Sequence, residues 1–236
     1  MARKTIELEV PTTLEDIKLW QYQKYMKVVD AHKDAENTEE LNNFLNMKLV
    51  EIFCNVSLKD VSKISVRGYK KILDILNKAF EEKPKLVQRF DLEGVDMGFI
   101  PKLDDISLGE YIDIENNLSD WQKIHKAMAV FYRPVNFKLG DKYGIADYEA
   151  KEDIQEIMKE MPMNVVMSSM VFFYSLGKAL LKAIPKYLEK NLTSSQIYHL
   201  EQHLQKNGVG ISQFMHSLKE MYSTSTKLPN LVFSNV

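Results

Sequence analysis

Cys54 is the only cysteine in this chain of 236 residues, which excludes an intramolecular disulfide. It lies in the apolar run LVEIFCNV, a setting that suits a small buried hydrophobe better than a reactive thiol. An intracellular, reducing environment is the simpler expectation. Long apolar runs are scarce too. The most apolar window, Val165 to Leu176, is cut by Ser168, Ser169 and Ser175, so it reads as a core helix and is too short to span a bilayer. The opening ARKTIELEV has no continuous apolar region and does not resemble a secretory signal. Charge of one sign is not in excess, with 31 Lys and Arg against 33 Asp and Glu. The basic footprint of a nucleic-acid binder is therefore missing. Gly140, Gly144, Gly208 and Gly210 fit neither GxGxxG nor GxxxxGK, which leaves no phosphate-binding loop.

What is present points to architecture. A length of 236 residues can bury a sizeable core, and an apolar fraction of 45% with 27% charged residues is that of an ordinary globular protein. LEDIKLWQY at Leu14–Tyr22 recurs in degenerate form as LDDISLGEY at Leu103–Tyr111. Five of the nine positions are identical, and each copy follows a strand-like run that ends in an apolar residue and proline. This pattern predicts an internal duplication.

Thr5–Val10 alternates as a half-buried strand does, and Pro11 ends it for want of an amide. Its expected neighbour is Arg89–Ile100, with Glu93-Gly94 turning a hairpin. Helical spacing follows the first strand: Leu19 to Ala31, a helix opened by an Asn37/Glu40 capping box, a short segment at Lys59–Ile64, and another helix from Val66 to Phe80. In the second half, Ser119 and Gln122 form a further capping box for a helix that Arg133-Pro134 terminates. KLVEIFC at Lys48–Cys54 and KAMAVFY at Lys126–Tyr132 read as equivalent helix ends. Val135–Ala150 reads as an insertion, followed by a helix at Glu152–Met161 and, after Pro162, an apolar helix at Met163–Ala183. The expected fold is mainly α, an internally duplicated helical bundle with a small antiparallel β element made by the N-terminal strand and the central hairpin. Its segments are 1–88 (first repeat), 89–184 (second repeat), 185–222 (C-terminal helices) and 223–236 (a tail with an LPNLVF island that docks by Leu231, Val232 and Phe233 or stays loose).

Chemistry-bearing residues are thin. His199 and His203 share a helix face at metal-ligand spacing, with His216 on the next helix, but the order is not that of a zincin. Polar surface histidines are the plainer reading. Asp104, Asp105, Glu110, Asp113 and Glu115 form an acidic cluster, yet Glu15 and Asp16 repeat it before another helix, where carboxylates cap free amides. His125 has no Ser or Cys partner in a nucleophile motif and reads as a core-edge histidine, and Ser168-Ser169 lack the glycines of a nucleophile elbow. No catalytic, metal or cofactor site is expected. The twelve methionines fill gaps between helices or, around Met158–Met170, form an adaptable protein-binding groove.

A strand, a proline, L-x-D-I-x-L-x-x-Y and then helices together resemble the tail assembly chaperones and related small virion-assembly proteins of tailed bacteriophages. The run IPKLDDISLGEYIDIENNLSDWQKIHKAMAVFYRP, with MPMNVVMSSMVFFYSL downstream, carries the resemblance, which extends over Thr5–Ala183. It implies a non-enzymatic protein made in the host cytoplasm that binds the tape-measure or tail-tube protein before assembly. Trp121, Met128, Phe131, Met163, Met167, Met170 and Phe173 are the expected contacts, and no membrane or nucleic acid is involved. A permanent neck, ring or head-tail connector subunit, with contacts made by sheet extension, is the alternative, and either form allows a homo-oligomer.

Overall fold

The computed structural model describes residues 8–102, 106–140 and 142–175. A turn of 3-10 helix at Leu14–Asp16 leads into α1 (Leu19–Asp30), α2 (Glu39–Phe53), α3 (Leu58–Val61) and α4 (Val66–Phe80). Thr38 caps α2 by accepting the Leu41 amide at 3.2 Å, one residue after the expected Asn37. Ser57 and Ser65 cap α3 and α4 in the same way, satisfying amides that a helix leaves free.

The chain then changes character. A hairpin of β1 (Arg89–Leu92) and β2 (Val95–Phe99) turns at Glu93 and Gly94, both at positive φ as a two-residue turn of this twist requires. α5 (Leu108–Asn117) and α6 (Ile124–Phe131) follow, and α6 runs without a loop into β3 (Tyr132–Leu139), which turns back as β4 (Lys142–Ile145). The four strands form one antiparallel sheet in the order β1-β2-β3-β4. α7 (Glu152–Ile157), a 3-10 turn at Met158–Glu160 and a helix at 163–175, here α8, complete the described chain.

The expected duplicated bundle is overturned by that sheet. The first half is helical throughout, whereas the second breaks its helices with β3 and β4, so Leu14–Phe80 and Leu103–Leu180 do not share an element order. The reason lies at Arg133-Pro134. Proline disfavours helical backbone in the residue before it and cannot extend the α6 ladder, so the chain leaves Phe131 extended and pairs with β2. α2 meets no proline at its matching end, Cys54, and turns instead through Asn55 at φ 50. The stretch read as an insertion is therefore the second hairpin of the sheet. Of the expected strand, Leu8–Val10 lie in no ladder and Thr5–Glu7 fall outside the described residues; the hairpin's partner among the described residues is β3. Ser119 caps nothing; α6 begins only at Ile124.

One apolar core draws on both halves, from Leu14, Ile17, Leu19 and Tyr22 to Phe131, Met163 and Met167. The seam between them is backbone as well as side chain. The Leu19 amide donates to Met161 O at 2.8 Å and the Met163 amide to Ile17 O at 2.8 Å, so Met161–Met163 lies as an extended segment against Ile17–Leu19. Among the described residues no helix is long and apolar enough to cross a membrane.

Candidate functional site

The sequence nominated one set of contact residues, and the fold places nearly all of them inside. Trp121, Met128, Phe131, Met163, Met167 and Met170 are buried and Phe173 is half-buried. Trp121 meets the edge of Tyr22 at 4.6 Å between ring centroids, and Phe131 stacks on Phe173 at 4.1 Å. Trp121 spends its apolar surface against α1 and Phe131 against α8, and all seven lie in or against the one core, so they have little left to present to a partner.

The titratable candidates are likewise committed to structure. Glu110 is buried, accepts the Ser107 amide at 2.7 Å and pairs with Arg133 at 3.0 Å, which ties α5 to β3. Asp113 accepts the Tyr148 hydroxyl at 2.8 Å. Burial raises the pKa of Asp16, but the amides and hydroxyls of Thr12 and Thr13 outweigh it and hold the carboxyl below its usual range. His125 is 3% exposed; its Nδ1 accepts from Gln23 Nε2 at 3.2 Å, and its Nε2 lies 3.4 Å from Glu156 Oε1. Gln23 also donates to Trp121 O at 2.8 Å, so this polar group is a clasp between α1 and α6 with no nucleophile beside it. Ser168 accepts the Val87 amide, and Ser169 donates to the Tyr132 hydroxyl, which donates to Val87 O; both serines pin the chain ahead of β1. Asp104, Asp105, His199, His203 and His216 lie outside the described residues.

A cleft of about 410 Å³ opens beside Cys54, with Glu9, Pro11, Asp16 and Asn55 on its walls. Burial pushes the Cys54 thiol up to about 11, which disfavours the nucleophilic thiolate. Among the described residues no three His, Cys, Asp or Glu side chains are arranged to hold a metal ion.

The surface that stands out is the free end of the sheet, where none of the expected contact residues lies. Strand alternation and the β2–β3 register put Val95, Met97, Phe99, Tyr132 and Pro134 on one face of the sheet. A bulge between Val135 and Phe137 keeps Phe137 and Leu139 on that face too. Met97, Phe99 and Tyr132 are covered by the core, but the strands run on past it. Val95, Phe137 and Leu139 are left 44%, 58% and 69% exposed, with Lys142 paired to Leu139 at the tip. The opposite face is closed by Tyr143, Val135 and Ile145 over Gly98, and by Asp96 held between Arg89 and Lys138. The alternation of Val135, Phe137 and Leu139 before Gly140 was the legible signal for this hairpin.

No family model, curated protein or solved structure matches the chain.

Proposed function

We propose that this chain is a non-enzymatic binding protein of bacteriophage virion assembly, a tail assembly chaperone that holds the tape-measure or tail-tube protein before assembly in the host cytoplasm. The phage assignment rests on the resemblance carried by Leu103–Tyr111 and the helices after it. The binding mode rests on one observation, the uncovered apolar continuation of the sheet at Val95, Phe137 and Leu139. Exposed apolar residues on one face at the end of the sheet suit the apolar face of a partner helix, and Lys142 beside them suits a partner with acidic flanks.

Co-expression with the tape-measure and tail-tube proteins of the same genome, followed by gel filtration and mass spectrometry of purified particles, tests the reading. A stable complex with either protein is expected, lost in the Phe137→Asp/Leu139→Asp double variant, with the chain absent from particles. Retention in particles at fixed copy number would assign it instead to a neck, ring or connector subunit. A complex with neither protein would end the chaperone reading.

A further inference from the structure

The two copies of L-x-D-I-x-L-x-x-Y differ in what covers them. In the first, Leu19 is 0% and Tyr22 1% exposed; in the second, their counterparts Leu108 and Tyr111 are 76% and 48% exposed. Local geometry does not explain the difference. Each helix starts at the same motif position, and in each a first-turn side chain reaches back to the residue before the helix: the Lys18 amide donates to Gln21 Oε1 at 2.9 Å, and the Ser107 amide to Glu110 Oε2 at 2.7 Å. What differs is the set of neighbours, with Phe80 and Trp121 against the Tyr22 ring. Met161-Pro162-Met163 lies antiparallel against Ile17–Leu19 through two backbone hydrogen bonds, and Val165 and Val166 behind it enter the core. On α5, Leu108, Tyr111 and Ile112 recur at helical spacing as an apolar stripe.

The chain contains a second peptide of the kind that covers the first copy. Leu228-Pro229-Asn230-Leu231-Val232-Phe233 follows the plan of Met161-Pro162-Met163-Asn164-Val165-Val166: an apolar residue, proline at the second position, and two apolar residues closing the six. Its proline favours extended backbone in the residue before it, which is the form that pairs with Ile17–Leu19 in the first copy. The 52 residues between Ser175 and Leu228 give ample reach. Lys227 at its head would meet a helix on which Glu115, one turn beyond Tyr111, is exposed. We propose that Leu228–Phe233 docks in cis on Ile106–Ile112, pairing with Ile106–Leu108 as Met161–Met163 pairs with Ile17–Leu19 and laying its apolar residues over the Leu108, Tyr111 and Ile112 stripe. This inference concerns a different surface from the sheet face above and stands independently of the assembly reading.

Hydrogen exchange by mass spectrometry on the full chain and on a chain ending at Thr226 tests it. Removal of the tail should speed exchange of the 106–112 amides about tenfold or more, leaving 17–22 unchanged, and a peptide of residues 226–236 added in trans should restore the protection. Equal exchange at 106–112 in the two chains would overturn the proposal, as would protection that grows with protein concentration, which would place the tail on a second copy. A complementary variant keeps the tail in place. Leu108→Asp changes an exposed side chain, so the fold should persist, and tryptic cleavage after Lys227 should become about tenfold faster. A cleavage rate equal to wild type would count against cis docking.

Discussion

A Cβ at Gly98 would sit 2.7 Å from Tyr143 Cε2, 2.9 Å from Val135 Cγ2 and 3.0 Å from Ile145 Cγ2. The tyrosine ring has no room to yield, because its hydroxyl donates to Phe99 O at 2.7 Å and also lies 3.3 Å from Gln88 O. Gly98→Ala should therefore cost about 1–3 kcal/mol in urea unfolding, while Gly109→Ala, with open space around it, should be neutral or stabilising. His125 sets a pH dependence at the same scale. Burial first, and then the Lys159 ammonium, hold its imidazole below the ordinary value of 6.5, against the pull of Glu156. The unfolded chain thus takes up a proton at a higher pH than the folded one. This histidine's contribution to stability is complete above pH 6.5 and falls as the pH drops below it. Subtracting the urea midpoints of His125→Gln from those of wild type between pH 8 and 5 should show that fall; a flat difference would refute it. The burial of His125 was legible from its place beside Ile124 on the α6 face. Its partners were not, because Gln23 and Glu156 are distant in sequence and nothing in local spacing pairs them with it.

At the scale of elements, the Glu110–Arg133 pair decides how α5 sits on the sheet. Both side chains are largely buried and 3.0 Å apart, so removing one leaves the other charged without its partner. Glu110→Gln should cost about 3 kcal/mol by chemical denaturation, and Glu110→Gln/Arg133→Met should recover part of it. The elements themselves were read with uneven success. α1, α4 and the Glu93-Gly94 hairpin follow directly from spacing, caps and turn residues, which act within a few positions. The second hairpin departs from the expected insertion, and its β3 strand carries the apolar alternation of Val135, Phe137 and Leu139. The nominated site fared differently. Met128 and Phe131 share a face of α6, whereas Trp121 lies in the turn ahead of it; the same pattern serves a core and a groove equally well, and the neighbours of α6 determine which it becomes.

For the whole molecule, a single core from Leu14 to Met170 and the Met161–Met163 seam predict one cooperative transition. Far-UV circular dichroism and tryptophan fluorescence of a Trp20→Phe variant, which reports Trp121, should give coincident urea midpoints; separate midpoints would show that the halves unfold independently. Sequence alone determined the local matters: the helical spans of α1 and α4, the two-residue turn, the proline that ends α6, the single unpaired thiol and the recurrence of one nine-residue motif. These depend on backbone sterics and on hydrogen bonds between near neighbours, which the sequence order encodes directly. Only the tertiary structure decided that β3 pairs with β2, that the methionine-rich face of α8 lies inside, and that Leu19 and Tyr22 are buried while Leu108 and Tyr111 are exposed. Those outcomes depend on which distant surface arrives to bury an apolar face: Leu19 and Tyr22 meet Met161, Phe80 and Trp121, while the counterpart side chains Leu108 and Tyr111 stay exposed.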